Sequence, residues 1–85
     1  MNKIVEYYST TCAPCKMMIP VLEKISKQYA ISLEKKDIDI YKKDIEKFNI
    51  NKVPTILLIK DEEVIETIVG TISLRELEKK VKNLL

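Results

Sequence analysis

The two cysteines of this chain, Cys12 and Cys15, are its only thiols and are separated by two residues. They follow an apolar run at residues 4–8 and precede a helical pattern, a setting in which a Cys-x-x-Cys pair indicates a redox dithiol. At the start of a helix, free backbone N–H groups and the positive end of the dipole favour thiolate over thiol. We therefore predict that Cys12 attacks a disulfide and that Cys15 resolves the resulting mixed disulfide.

Other interpretations of the cysteine pair stay open. One is a pair without function, and another is half of a zinc or iron–sulfur site. Such a metal site usually needs four protein ligands. The chain offers two thiols and no histidine, so only a dimer that bridges a metal would complete it. We expect no metal and no bound cofactor beyond a redox-active Cys12–Cys15 disulfide.

The cysteines must be positioned by a strand before them and a helix after them. Residues 3–8 are rich in β-branched and aromatic side chains, which favour a strand, and Glu6 is the exception among them. From residue 13 to 29, apolar side chains recur at helical spacing. Pro14 suits the first turn, where its missing N–H costs nothing. Pro20 lies inside the pattern and is expected to kink the helix.

Three further strands and two further helices are predicted beyond residue 30. The strands are expected at residues 32–38, 56–60 and 64–69, with a hairpin turn at 61–63 that lacks glycine. The helices are expected at residues 41–48, with Asp39 as N-cap, and at 74–84, behind a capping box of Ser73 and Glu76. The order β-α-β-α-β-β-α predicts an α/β fold with a four-stranded mixed sheet flanked by three helices.

Length, charge and hydropathy limit the range of functions. The 85 residues are enough for a single domain, residues 1–85. The 15 basic and 13 acidic residues are interspersed, which argues against a nucleic-acid or membrane surface built on bulk charge. The N-terminus lacks the pattern of a signal peptide, and no apolar run is long enough to span a bilayer. A cytoplasmic location is therefore the default expectation, and cysteines there are more often reactive than crosslinked.

Three short motifs resemble the thioredoxin family. Residues 12–18 (CAPCKMM), with Pro20 after them, are similar to its active-site helix. Residues 53–55 (VPT) resemble the cis-proline segment that faces the dithiol, and Gly70 resembles the glycine that follows the last strand. The likeness covers nearly the whole chain. It is greatest to small, glutaredoxin-sized thioredoxins, which lack the β-α unit that precedes the first strand in full-size members.

The resemblance also implies a role for two charged residues. Glu6 matches the family's buried acid, usually Asp, which accepts the proton of the resolving cysteine. A carboxylate in an apolar strand is expected to have a raised pKa through desolvation. Lys35 matches a lysine near that acid and is expected to pair with it. The residues alone leave open that Glu6 reaches solvent at a strand edge and that Lys35 is an ordinary exposed lysine.

Substrate contacts are implied for residues on both sides of the predicted site. These residues are Thr11, Ala13, Pro14, Val53, Pro54 (cis), Thr55 and Gly70. The cis-proline segment would present backbone groups to an extended substrate. Thr11 stands where the family usually has tryptophan, and Ala13 replaces a glycine, so the sequence departs from the family pattern on both sides of Cys12.

The function that the resemblance implies is reduction of protein disulfides by a monomer, with a thioredoxin-reductase-like protein as electron donor. The first alternative is a glutaredoxin recycled by glutathione. However, residues 71–73 after Gly70 lack the acid of the usual glutathione site, and Ala13-Pro14 differs from the Pro-Tyr of glutaredoxins. A further alternative is a non-catalytic binding module of the same fold, or a metal-bridged dimer.

Overall fold

The computed structural model describes every residue from Met1 to Leu85 and contains the predicted order of elements. The strands are β1 (Asn2–Tyr8), β2 (Ser32–Asp37), β3 (Thr55–Lys60) and β4 (Glu63–Val69). The helices are α1 (Ala13–Tyr29), α2 (Lys42–Lys47) and α3 (Leu74–Lys82). The predicted α/β fold is therefore confirmed, with α2 and α3 shorter than the apolar pattern indicated. Pro20 lies inside α1, which continues past it.

The four strands form one mixed sheet in the order β2-β1-β3-β4. β1 and β2 are parallel, as expected for two strands joined through a helix, while β3 is antiparallel to both β1 and β4. The hairpin between β3 and β4 turns on Asp61 and Glu62 alone, both with positive φ, because Glu63 already pairs with Lys60. The predicted three-residue turn is therefore one residue too long.

Apolar clusters lie on both faces of the sheet. On one face, Ile4 and Leu58 pack with residues of α1 and α3, among them Met18 and Leu77. On the other face, a smaller cluster centred on Tyr7 and Leu57 packs against α2. Successive residues of β1 and β3 alternate between the two clusters, as the pleat of a strand requires. Helices thus cover both faces, which accounts for apolar residues at consecutive positions in β1.

A β-bulge divides β4 into two parts. Val64 pairs with Ile59, but the next matched pair is Glu66 with Leu58, so Ile65 is an extra residue in β4. The bulge changes which face the strand presents. Val64 packs against the smaller cluster, whereas Ile68 belongs to the larger one.

The helix caps agree with the sequence only in part. Ser73 caps α3 by accepting a hydrogen bond from the backbone N–H of Glu76 at 3.2 Å. The carboxylate of Glu76 lies 3.7 Å from Lys79, which is an ion pair within the helix. The predicted N-cap Asp39 is wrong. Tyr41 holds that position in α2 without a side-chain hydrogen bond, since the chain turns earlier, where Asp37 accepts from the N–H of Asp39.

Candidate active site

Cys12 is the N-cap of α1, and Cys15 lies one turn into that helix. The backbone of Cys12 is extended, and its Sγ accepts a hydrogen bond from the N–H of Cys15 at 3.1 Å. The two residues form a disulfide with a Cα–Cα distance of 5.3 Å. Pro14 stands in the first turn, as its fixed φ and missing N–H favour. The helix start therefore directs a backbone donor at the sulfur of Cys12, where it would stabilise a thiolate after reduction.

The two sulfurs differ in their access to solvent. Cys12 is partly exposed and has exposed neighbours on both sides, Thr11 and Ala13. Cys15 is only 2% exposed. A substrate disulfide can therefore reach Cys12, whereas Cys15 is accessible mainly from within the protein.

Glu6 is buried beneath the cysteine pair. The residue lies in the middle of β1, where its backbone is opposite Lys35 of β2 on one side and Ile56 of β3 on the other. The residue is 1% exposed, and its Oε2 atom has no hydrogen-bond partner. Burial raises the pKa of Glu6 from 4.5 to about 7, and the positive charge of Lys35 opposes this rise. The alternative that Glu6 reaches solvent at a strand edge is wrong, because β1 is an inner strand of the sheet.

A cavity of about 290 Å³ connects Glu6 with the cysteine site. Glu6, Cys15, Lys35 and Ile19 are among the residues that line it. Such a space is large enough for water that joins the orphaned oxygen to its surroundings. Lys35 thus lies next to Glu6, but its Nζ forms its ion pair with Glu23 of α1, at 3.9 Å.

The predicted cis-proline segment lies at the same end of the sheet. The Val53–Pro54 peptide bond is cis. Thr55 pairs with Tyr7, so Pro54 is placed beside the end of β1, from which the loop to Cys12 departs. Thr55 itself is buried and its hydroxyl donates to the carbonyl of Lys52 at 2.6 Å. The backbone of this segment is therefore held at the end of the sheet where the cysteines lie.

Gly70 is attached directly to this segment. Its N–H donates to the carbonyl oxygen of Pro54 at 2.8 Å. Its φ of +88° is one that side-chain-bearing residues rarely adopt, and it follows Val69, which pairs with Thr55. The structure therefore brings Gly70, Pro54 and the helix start to one end of the sheet.

No cluster of three or more histidine, cysteine or acidic side chains could hold a metal ion in this structure. None of its helices combines the length and apolar character of a membrane span.

Comparison with known proteins decides the family. A family model described as Thioredoxin matches residues 1–83. The chain belongs to the thioredoxin family. The thioredoxin of Listeria monocytogenes is 36% identical over 78 residues, which cover 89% of this chain and 76% of that protein. The thioredoxin of Mycobacterium bovis is 37% identical, over 95% of this chain and 75% of its own length.

Solved thioredoxin structures share the fold. A point mutant of thioredoxin from Halobacterium salinarum superposes with a TM-score of 0.92 at 26% identity, covering 98% of this chain and 74% of that one. Reduced thioredoxin from Schistosoma mansoni gives a TM-score of 0.89 at 30% identity, covering 99% and 79%. The predicted thioredoxin fold is confirmed. A thioredoxin-family chain with this cysteine pair is a dithiol thiol–disulfide oxidoreductase.

Some residues of this thioredoxin-family site escaped the sequence analysis. Tyr8 and Ile19 line the cavity at Glu6. Ile19 could have been found, because it lies four residues after Cys15 and therefore on the same side of the helix. Lys42 and Lys52 lie around a second cavity beside Val53. No local pattern signals them, since each is one of many lysines in the chain.

Proposed function

We propose that this protein reduces disulfide bonds in other proteins, with Cys12 as the attacking thiolate and Cys15 as the resolving thiol. The observation that carries the proposal is the asymmetry of the pair. Cys12 is accessible at the N-cap of α1 and receives a backbone hydrogen bond, while Cys15 is buried next to it. Thiolate character and access are the two properties that select an attacking cysteine.

In the first exchange, the Cys12 thiolate attacks one sulfur of a substrate disulfide. A bond forms between Cys12 and that sulfur, and the other substrate sulfur leaves as a thiolate that takes a proton from solvent. During this exchange, the backbone groups of Val53 and Thr55 hold the substrate segment as an added short strand. The family resemblance and the position of the cis-proline segment beside the end of β1 support this contact.

In the second exchange, Cys15 attacks the sulfur of Cys12. Cys15 must first lose a proton, and the ionised carboxylate of Glu6, across the shared cavity, accepts it through water. The Cys12–Cys15 bond then forms while the bond to the substrate breaks, and the substrate leaves with its second sulfur reduced. The raised pKa of Glu6, about 7, makes it a suitable acceptor near neutral pH, because both protonation states are then populated.

Return to the dithiol needs two electrons and two protons, and we propose a thioredoxin-reductase-like protein as their source. We also propose that the protein works as a monomer in the cytoplasm, where such reductases keep thiols reduced. The thioredoxins that match over most of this chain support the reductase as electron donor. Thr11 and Ala13 leave a surface without an aromatic ring beside Cys12, so the range of partners is expected to differ from that of members with tryptophan there.

The proposal is tested by reduction of insulin with dithiothreitol as electron source. We expect the protein to accelerate the reaction well beyond dithiothreitol alone, and a Cys12→Ser variant to abolish the acceleration. No acceleration by the wild-type protein would contradict the proposal. A parallel assay with glutathione and glutathione reductase separates the alternative, since fast turnover there with slow insulin reduction would make the protein a glutaredoxin in function.

A further inference from the structure

A second cavity, of about 280 Å³, opens beside the cis-proline segment. Its apolar lining comes from Ile38, Ile45, Ile50 and Val53. Val53 is also the residue before Pro54, so the cavity begins where the substrate strand of the proposed function would pass. An apolar side chain close to the substrate disulfide would therefore be carried towards this cavity.

The charged residues around this cavity all have the same sign. Lys42 and Lys52 line it, and no aspartate or glutamate does. Neither ammonium group belongs to an ion pair of the structure. By contrast, Lys36 on the same face of the fold is committed to Asp44 at 3.1 Å. The two lysines at the cavity are thus free to pair with a carboxylate brought by another molecule.

We propose that this cavity, together with Lys42 and Lys52, selects disulfide partners that carry an acidic residue next to a large apolar one beside the target cysteine. The apolar side chain fills the cavity between Ile45 and Ile50, and the carboxylate pairs with the lysines at its rim. The inference rests on the proposed reduction of protein disulfides and specifies which segments are reduced fastest. Charge complementarity of this kind acts on encounter and on choice of partner more than on the chemical step.

The test uses three disulfide-bonded peptides that differ only in the residues flanking the cysteine: Glu-Leu, Gln-Leu and Lys-Leu. The fully reduced wild-type protein is mixed with each peptide at low ionic strength, and the second-order rate of disulfide reduction is measured. We expect the Glu-Leu peptide to react about three- to tenfold faster than the Lys-Leu peptide, which is the effect of one or two exposed ion pairs. The difference should shrink at high salt, because screening weakens exposed pairs.

The variant that combines Lys42→Glu and Lys52→Glu should reverse the preference, so that the Lys-Leu peptide reacts faster than the Glu-Leu peptide. A matched control combines Lys24→Glu and Lys27→Glu, two exposed lysines on α1, and alters net charge equally. The control should keep the wild-type order of rates, since these residues lie outside the cavity. Circular dichroism and urea unfolding of both variants confirm that they are folded.

The outcomes separate the two hypotheses. Failure to reduce any of the peptides would count against the proposed function itself. Reduction of all three peptides at equal rates, or an equal loss of preference in the control variant, would overturn the cavity proposal alone. A further outcome is that inorganic phosphate competes with the Gln-Leu peptide in a way that requires Lys42 and Lys52. That result would also overturn the cavity proposal, because the lysines would then bind a small anion.

Discussion

Glu6 on β1 and Cys15 on α1 line the same cavity, although eight residues lie between them in the sequence. One carboxylate oxygen of Glu6 is buried there without a partner, and Cys15 is almost completely shielded from solvent. The two groups therefore share an environment that bulk water reaches poorly. In the proposed mechanism, this relationship couples the ionisation of a buried acid to the resolving step, and burial links the same ionisation to the stability of the fold.

The division of labour between the cysteines predicts which variant traps an intermediate. In a Cys15→Ser variant, Cys12 can still attack, but nothing resolves the mixed disulfide, so a covalent adduct with a peptide disulfide should accumulate. Mass spectrometry under non-reducing conditions measures it. A Cys12→Ser variant serves as control and should trap little, since Cys15 is buried. Efficient trapping through Cys15 would reverse the assigned roles.

The buried carboxylate predicts that stability falls as pH rises. The pKa of Glu6 is about 7 in the folded protein and 4.5 without burial. The folded state therefore binds more protons than the unfolded chain between these values, so its stability is lost as pH rises through this window. A Glu6→Gln variant does not ionise. The free energy of unfolding of the variant minus that of wild type should therefore increase by on the order of 3 kcal/mol as the pH rises from about 4 to about 8.

Urea unfolding of wild type and Glu6→Gln across this pH range measures the effect. The comparison is made on the oxidised proteins, so that the thiols do not titrate. The sign follows from burial, because ionised Glu6 is the form that the cavity disfavours. A difference between the two proteins that stayed constant with pH would show that Glu6 does not titrate in this window.

The charge of Lys35 predicts how the pKa of Glu6 changes when that lysine is replaced. Its charge holds the pKa of Glu6 below the value that burial alone would set. A Lys35→Met variant should therefore titrate Glu6 above about 7, which carboxyl NMR shifts would detect. Lys43→Met, an exposed lysine of α2, is the matched control and should leave the titration unchanged. An unchanged Glu6 titration in Lys35→Met would remove Lys35 from the site.

The hydrogen bond between Tyr7 and Asp44 of α2 predicts that removal of the Tyr7 hydroxyl lowers the stability of the fold, independently of the cysteines. Its buried hydroxyl donates to Asp44 at 2.7 Å, and Asp44 also accepts from Lys36. Tyr7→Phe should lower the free energy of unfolding by about 1–3 kcal/mol, because Asp44 loses a charge-assisted partner. Tyr8→Phe is the control on the same strand, since its hydroxyl has no hydrogen bond in the structure, and should cost little. Equal losses in both variants would contradict this account.

The sequence predicted most of what depends on neighbouring residues. The helix around Pro14, the strand that contains Glu6 and the Ser73 cap each rest on a local period or a short side-chain contact. The cysteine pair and the proline of residues 53–55 were visible as motifs. These features need no knowledge of how distant segments meet.

The features that the sequence could not predict depend on distant contacts. The strand order places β1 between β2 and β3, so Glu6 has a neighbouring strand on both sides, and residues of α1 line the space above its side chain. The cap of α2 falls on Tyr41, not on Asp39, because Asp37 takes up the preceding turn. The apolar run of β4 fits unbroken alternation as well as a bulge, so the extra residue Ile65 has no signal in the sequence.

The bulge at Ile65 has a consequence for how the two halves of the site are anchored. Past the bulge, Ile68 joins the buried cluster that also contains Met18, one turn beyond Cys15 in α1. The segment that ends at Gly70 and the helix that carries the cysteines are therefore both anchored in the same apolar cluster. A register shift in β4 would move the Gly70 segment relative to α1 although neither cysteine is changed. The distance between the two halves of the site therefore depends on one unpaired residue, Ile65, near the turn of the hairpin.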